Sequence, residues 1–292
     1  MNYHILYNPL AGNGDAENKI RAILSSYEGD MIFTDITELN DYAEFFSSLG
    51  DDETVIIAGG DGTLNRFINS TVNIEIKCDV LYCAGGSGND FLHDVGTPDN
   101  DKPLKINDYI KDLPVVEVNG KEYRFLNNVG FGIDGYCCEV GDEMKKTSDK
   151  PVNYTAIAIK GLLFHYKPCG ATVTVDGKEY RYEKVWLAPT MQGSFDGGGM
   201  MPTPEQDRND PSGELSLLLF HGSGKLKTLR VFPSIFKGEH VKHEKIVTIH
   251  KGSDISVTFD KPTALQIDGE TILGVTSYHA KAKAAVAAEA ML

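Results

Sequence analysis

Along the first hundred residues, short apolar runs alternate with amphipathic stretches. Tyr3–Tyr7, Met31–Phe33, Thr54–Ala58 and Val80–Ala84 have the composition of strands buried on both faces of a parallel sheet. Helical patterns lie between them, around Ala16–Tyr27, Tyr42–Leu49 and Leu64–Ile68. Such a series predicts an open, doubly wound α/β sheet whose ligands sit at the carboxyl ends of the strands. The glycine-rich stretches fall at those ends: Asn8–Gly14, Gly59–Thr63 and Gly85–Asp90 follow the first, third and fourth strands. Three permissive loops at one sheet edge make a cluster.

The pattern changes near Lys111-Asp112-Leu113-Pro114. From Val115 onward strands dominate, with turn signals at Asn119-Gly120, Asp176-Gly177 and Lys251-Gly252,. Helices interrupt at about Val152–Tyr166 and Leu226–Phe236. Val116–Phe125 and Val173–Tyr182 resemble one another, which reads as shared hairpin chemistry rather than duplication. The expected division is an α/β domain over residues 1–114 and a β-sandwich over 115–274, with 275–292 left free to return to the first domain. The Ala-rich end, Lys281–Leu292, reads as helix or disorder.

Composition narrows the field. The 292 residues are 41% apolar and 24% charged, an ordinary globular balance. No apolar run approaches the roughly 18 residues that span a bilayer; the best, Ile157–Tyr166, carries Lys160. The opening Met1-Asn2-Tyr3-His4 lacks the basic and apolar parts of a signal peptide,. The expectation is a cytoplasmic protein, with peripheral contact at the inner membrane face left open. Cys78, Cys83, Cys137, Cys138 and Cys169 show neither C-x-x-C nor zinc spacing and read as reduced, mostly buried thiols,. A net charge of −14 argues against nucleic acid as a partner, because affinity for a polyanion needs basic surface.

Two motifs are decoys. Gly222-Ser223-Gly224-Lys225 lacks the first Gly and the Ser or Thr of a phosphate-binding P-loop, with Leu219 and Leu226 in their places,. Gly130-Phe131-Gly132-Ile133-Asp134-Gly135 matches G-x-G-x-x-G, but the next strong element is the Val152–Tyr166 helix rather than a βαβ unit,. These glycines read as a tight bend between domains.

Gly59-Gly60-Asp61-Gly62-Thr63-Leu64-Asn65 is the most informative stretch. Its glycines let the backbone approach a bulky anion, and Gly62 is free to take positive φ. The turn amides and the following helix start form an anion site. Asp61 would repel a bare phosphate, and belongs there if Mg²⁺ lies between the two; otherwise it caps a helix. Asp90, in Gly85-Gly86-Ser87-Gly88-Asn89-Asp90-Phe91, is a second carboxylate near the first. Gln266-Ile267-Asp268-Gly269-Glu270 reads either as a hairpin turn with exposed acids or as a catalytic turn, Asp268 being the base and Glu270 holding metal or ribose.

Taken together, these segments resemble the diacylglycerol kinase catalytic family. The matching stretches are Asn8-Pro9 with Gly12 and Gly14, Gly59 to Asn65, Gly86-x-Gly88-Asn89-Asp90-Phe91 and Asp268-Gly269-Glu270. The likeness is to its compact bacterial members, relatives of the sphingosine kinases and, more distantly, of NAD kinases. It extends to Gly197-Gly198-Gly199-Met200 and Asn209–Leu215. The resemblance implies an α/β nucleotide domain, a β-sandwich acceptor domain and an active site in the cleft between them. It implies transfer of the ATP γ-phosphate to a lipid hydroxyl. Carried across residue by residue, Asn8, Thr34 (just after the second strand), Gly59, Gly60, Asp61, Gly62, Thr63, Leu64, Asn65, Ser87 and Glu270 would contact the nucleotide. Asp61, Asp90 and Glu270 would form a Mg²⁺-linked acidic network, with Asp268 as base. Three departures stand out. Arg66 replaces a usual Glu, His93 a usual Arg, and Pro211-Ser212-Gly213 stands where the structural Mg²⁺ loop usually reads Asp-Asp-Gly. Asn209, Ser212 and Glu214 are what that loop retains for a metal.

Residues 225–251 carry Lys225, Lys227, Arg230, Lys237, Lys242, Lys245 and Lys251 against Glu239 and Glu244. Such a basic stretch on an acidic chain suits an anionic membrane surface or is a solvated helix face. The leading expectation is an ATP- and Mg²⁺-dependent lipid kinase with diacylglycerol as acceptor. A soluble-substrate kinase and a non-catalytic nucleotide binder are the alternatives. The acceptor's identity and a homodimeric state are left open.

Overall fold

The computed structural model describes residues 2–9, 11, 16–50, 52–85, 88–97, 102–148 and 152–283. Two compact units, Met1–Asp112 and Leu113–Leu292, divide the chain.

In the first unit β1 (Asn2–Tyr7), α1 (Ala16–Ile23), β2 (Asp30–Asp35), α2 (Tyr42–Ser48), β3 (Glu53–Gly59), α3 (Asp61–Ser70) and β4 (Asp79–Ala84) alternate. α4 (Asp90–Asp94), β5 (Leu104–Lys105) and α5 (Asn107–Lys111) follow. The sheet order is β2-β1-β3-β4-β5, parallel except for the β4–β5 edge. β3 is the central strand, and from Thr54 to Gly59 it is buried on both faces, which is why its sequence is a continuous apolar run rather than an alternation. Ile5, Ile20, Leu24, Ile56 and Cys83 form the core on one face. Asp41 caps α2 by accepting from Glu44 N at 2.8 Å, so its helix starts where a side-chain oxygen can satisfy a first-turn amide.

The second unit is antiparallel and β-sandwich-like. It contains β6 (Val115–Val118), β7 (Lys121–Arg124), β8 (Asn128–Gly132), β9 (Cys169–Val175), β10 (Lys178–Val185), β11 (Leu187–Met191) and β12 (Leu215–Phe220). β13 (Val247–Gly252), β14 (Asp254–Ile267) and β15 (Glu270–Lys281) complete it. The order β13-β12-β11-β8-β14-β15-β6-β7 is joined by β9 and β10 through β14. β14 carries the fold-over: its first half pairs with β9 and its last residues with β8, with register shifts between. Phe131, Val173, Leu217, Val257, Phe259 and Tyr278 pack the space enclosed. α6 (Ile133–Thr147), α7 (Tyr154–Lys160) and α8 (Lys225–Val231) cover a second cluster built around Trp186, Leu162, Phe232 and Ile235.

Several expectations change. Residues 133–147 form a helix where a bend between domains was expected, and Gly130 to Gly135 lie wholly inside the second unit. The G-x-G-x-x-G match remains a decoy, because β8 is antiparallel to both neighbours rather than part of a βαβ unit. The glycines there serve close packing. A Cβ on Gly132 (φ 111°) would meet Trp186 O at 2.5 Å, and one on Gly135 would collide with Ala264 O. Lys251-Gly252 is no turn: it ends β13, and a Cβ on Gly252 would strike Val175 and Asp176. The helix expected over 152–166 is α7 followed by a π-turn, Gly161–His165. That expected over 226–236 is α8 followed by a 3-10 turn, Phe232–Lys237. Residues 275–281, left free to return to the first unit, instead continue β15 against β14 and β6. Residues 284–292 lie outside the described residues. None of the five cysteines is in a disulfide, and burial pushes the Cys137 thiol up to about 12. No helix among the described residues is long and apolar enough to cross a membrane.

Candidate functional site

At the carboxyl edge of the first sheet, β3 hands directly into α3. Gly60 is the N-cap in extended geometry, and the helix begins at Asp61. Gly62 is therefore a first-turn helical residue and is not among the positive-φ glycines, so the predicted loop is shorter than expected. The first-turn amides of a helix have no intrahelical acceptor and point outward; together with the helix dipole they make an anion seat. Gly59 is required by packing. A Cβ there would lie 2.5 Å from Thr63 Oγ1, so only glycine lets α3 start so close to the strand. Asn8 ties β1 to the same place: its backbone amide donates to Ala58 O at 3.0 Å and its Nδ2 to Thr63 Oγ1 at 3.0 Å. Thr63, Leu64 and Asn65 are buried.

Asp61 reaches across to the next loop. Its carboxylate accepts from Asp90 N at 3.2 Å and Phe91 N at 3.3 Å, capping α4. Asp90 comes back to the same point, since a Cβ on Gly88 would lie 3.3 Å from Asp61 Oδ2 and 3.6 Å from Asp90 Oδ2. Two carboxylates thus meet at one glycine. Beneath them Tyr82 donates to Gly59 O at 3.1 Å. Burial, with Asp61 and Asp90 nearby, drives its phenol well above the usual range. Asn89 holds the left-handed conformation (φ 54°) and its buried Oδ1 has no partner among the described residues. Thr34 lies inside β2, paired with Leu6, rather than after the strand. Arg66 is exposed and lines a surface depression with Asp41, Tyr42 and Ser70, one turn further along α3. Gly12, Asn13, Gly14, Gly86 and Ser87 lie outside the described residues.

In the second unit, Asp268-Gly269 is the two-residue turn of the β14–β15 hairpin, with φ 46° and 89° and Ile267 paired to Glu270, as Asp-Gly favours. Asp268 is buried, however, and does not face solvent as a plain turn acid would. Its carboxylate accepts from Leu126 N at 2.6 Å, Asn127 N at 2.7 Å and Asn128 N at 2.9 Å. Glu270, the first residue of β15, is exposed.

Behind this turn lies a polar network that the sequence reading did not assign. Gln266 Oε1 accepts from Gly269 N at 2.8 Å, while its Nε2 donates to Asn128 Oδ1 and, at 2.5 Å, to Asp134 Oδ2. Asn128 Nδ2 then donates to Asp196 Oδ1 at 2.9 Å. Each amide has one orientation compatible with its neighbours, so the chain of donors runs one way from the turn to Asp196. Burial, and next the charge of Asp134, lifts the Asp196 carboxyl well above the usual carboxylate range; its Oδ2 has no partner among the described residues. Buried Arg208 donates to Leu126 O at 3.2 Å and Asn127 Oδ1 at 3.0 Å, bracing the segment whose amides hold Asp268. The sequence signal was available: Asn127-Asn128 precede a strand interior, and Gln266 sits in a buried run.

The loop at 207–214 closes on itself. Asp207 Oδ1 accepts from Asn209 N at 2.8 Å, Asp210 Oδ1 from Ser212 N at 2.9 Å and Ser212 Oγ from Glu214 N at 3.3 Å. The Ser212 amide, and next its hydroxyl, hold the Asp210 carboxyl below its ordinary value. Among the described residues no group of three or more His, Cys, Asp or Glu gathers as a metal site. The pair Asp61 and Asp90 is a different case. Mg²⁺ takes one or two carboxylates and completes its shell with phosphate and water, and the orphaned Asn89 Oδ1 beside the pair is a further polar group such a ligand would satisfy. These residues fit Mg²⁺ carried in with a phosphate ligand.

A parallel α/β unit with an anion seat and paired carboxylates, followed by an antiparallel β-sandwich-like unit, defines the class of protein. Residues 2–116 match the diacylglycerol kinase catalytic domain, and residues 127–286 match the YegS C-terminal NAD kinase beta sandwich-like domain. The chain belongs to the diacylglycerol kinase catalytic family of the compact bacterial type. It is 24% identical to the diacylglycerol kinase of Bacillus subtilis (strain 168) over 277 residues, 91% of this chain and 88% of that one. A solved chain from Bacillus anthracis str. Sterne superposes with a TM-score of 0.67 at 20% identity, over 96% of this chain and 91% of its own. Another solved structure from that strain, a diacylglycerol kinase, gives 0.59 at 20% identity, over 96% and 93%.

Proposed function

We propose that the chain transfers the γ-phosphate of ATP to a lipid hydroxyl, with diacylglycerol the leading acceptor. Family membership supports a kinase that draws on ATP, and the name carried by the B. subtilis relative supports the acceptor. The observation that carries the site assignment is the meeting of Asp61 and Asp90 beside the first-turn amides of α3.

In this reading Gly60, Asp61, Gly62 and Thr63 present backbone amides to the phosphates, while Asn8 fixes Thr63. Leu64 and Asn65 anchor the helix from its buried side, and Ser87 and Thr34 are further nucleotide contacts carried over from the family. Asp61 and Asp90 hold Mg²⁺, which when bound offsets phosphate charge. Asp268 takes the acceptor's proton, a role typically worth about 10²–10⁴-fold. Glu270 contacts nucleotide or metal. The 207–214 loop is assigned no metal, since Asp207, Asp210 and Ser212 already accept from amides of their own turn. We place the protein in the cytoplasm, acting on acceptor at a membrane surface.

The test is transfer of label from γ-labelled ATP to a mixed lipid extract, with the product identified. Labelled phosphatidic acid is the expected product. ATP binding without labelling of any acceptor would overturn the reading.

A further inference from the structure

The second unit carries an apolar and basic face that its fold does not require. α7 and the π-turn bury Ile157, Leu162 and Tyr166, and α8 with its 3-10 turn buries Val231, Phe232 and Ile235, all in the cluster around Trp186. Lys225 Nζ donates to Leu163 O at 3.1 Å, fixing the start of α8 against the π-turn. The residues next to that bond point away from the core: Phe164 is 69% exposed and Leu226 81%. These are the two most exposed large apolar side chains among the described residues. Ile159 and Phe236 are also exposed on the same elements.

The charge around them is of one sign. Lys160, Lys167, Lys225, Lys227, Arg230 and Lys237 are all exposed, and neither 152–168 nor 221–238 contains an Asp or Glu. On the adjoining α6, Asp142 and Glu143 are paired with Lys145 and Lys146. A chain of net charge −14 has therefore segregated cations around two apolar tips.

We propose that the face built from α7, the π-turn, α8 and the 3-10 turn docks on an anionic lipid bilayer, with Phe164 and Leu226 entering its interfacial layer. Apolar tips ringed by Lys and Arg match an interface that is apolar below and anionic above. A second copy of the chain fits poorly, because a two-fold contact would oppose this cationic face to itself. The proposal rests on the lipid-kinase reading only for the purpose of docking, since binding is measured without ATP.

The experiment is co-sedimentation with vesicles of phosphatidylcholine alone and of phosphatidylcholine mixed with phosphatidylglycerol. Binding is expected only to the mixed vesicles, weakening as salt shortens the screening length below about 8 Å. Reversing charge at Lys225→Glu, Lys227→Glu and Arg230→Glu together should lower partitioning by roughly 100-fold or more. Phe164→Ser with Leu226→Ser should lower it by about tenfold or more, with unchanged circular dichroism melts because both side chains are exposed. Equal binding to the two vesicle types, or binding untouched by both variant sets, would overturn the proposal. So would self-association of the wild type that these variants abolish. Retained transfer to a short-chain, water-soluble diacylglycerol in the variants supports docking as their defect. Vesicle binding by a wild type that phosphorylates nothing would remove the kinase reading and leave the docking face standing.

Discussion

The two candidate constellations are built on opposite principles. In the first unit the proposed ligand-binding groups are backbone amides at the start of α3, where Asn8 bonds to Thr63. Asp61 and Asp90 are tied to that region by hydrogen bonds beyond 3 Å. Around Asp268 the bonds are shorter and the groups buried, and Gln266, Asn128 and Arg208 lock the turn and the amides that face it. A seat for a large, mobile polyanion needs donors that stay available. A single proton acceptor needs one fixed direction, which a satisfied buried network supplies.

The contrast can be broken most sharply at Asp268. Asp268→Asn should reduce phosphate transfer by about 10²–10⁴-fold while ATP binding, followed by calorimetry, is retained. It should also lower the melting temperature: with the amide oxygen still accepting from Asn127 N and Asn128 N, the amide nitrogen faces the Leu126 N–H, and an orphaned buried donor costs about 1–3 kcal/mol. Full activity would remove Asp268 from the chemistry and leave it a purely structural acceptor. Gln266→Leu strips the turn of its brace and should cost about 1–3 kcal/mol in denaturant unfolding, with transfer falling more than ATP affinity.

The amide seat is probed by a pair of glycine changes. Gly59→Ala overpacks against Thr63 and should cost about 1–3 kcal/mol together with nucleotide affinity. Gly62→Ala sits in regular helix and should stabilise the fold by up to about 1 kcal/mol, yet still weaken ATP if the ligand approaches that amide. An ATP affinity unchanged by both would sink the seat.

The smallest expected effect is electrostatic. Burial raises the Asp196 carboxyl well above its ordinary value, so the folded state holds a proton the unfolded chain gives up. Its contribution to stability is full below the unfolded value and is lost as pH rises towards the folded one. Relative to wild type, Asp196→Asn should therefore gain melting temperature as pH rises from about 4. Parallel pH profiles for the two proteins would contradict this.

Much of the first unit was legible because parallel strands buried on both faces leave unbroken apolar runs, as Thr54–Ala58 does. The edge strand β5 was not, since two residues carry no periodicity. α6 was hidden by Gly135 and Gly141, which lower helix propensity. Each is there for a neighbour: a Cβ on Gly141 would lie 2.6 Å from the Tyr154 ring, and one on Gly135 would collide with Ala264 O, more than a hundred positions away. Yet Ile133, Cys137, Val140 and Met144 keep helical spacing and could have revealed it. The Asp-Gly signal located the Asp268 turn. Its burial was illegible, because the amides that enclose it come from residues 126–128, more than a hundred positions away.

The hairpin carrying Asp268 has no spare length. Ile267 and Glu270 already face each other across a two-residue connection, so one inserted residue would either bulge at the turn or slide β15 by one place. Since strand side chains alternate faces, the slide would carry Tyr278 and Ala280 out to water and draw Ser277 and His279 inward,.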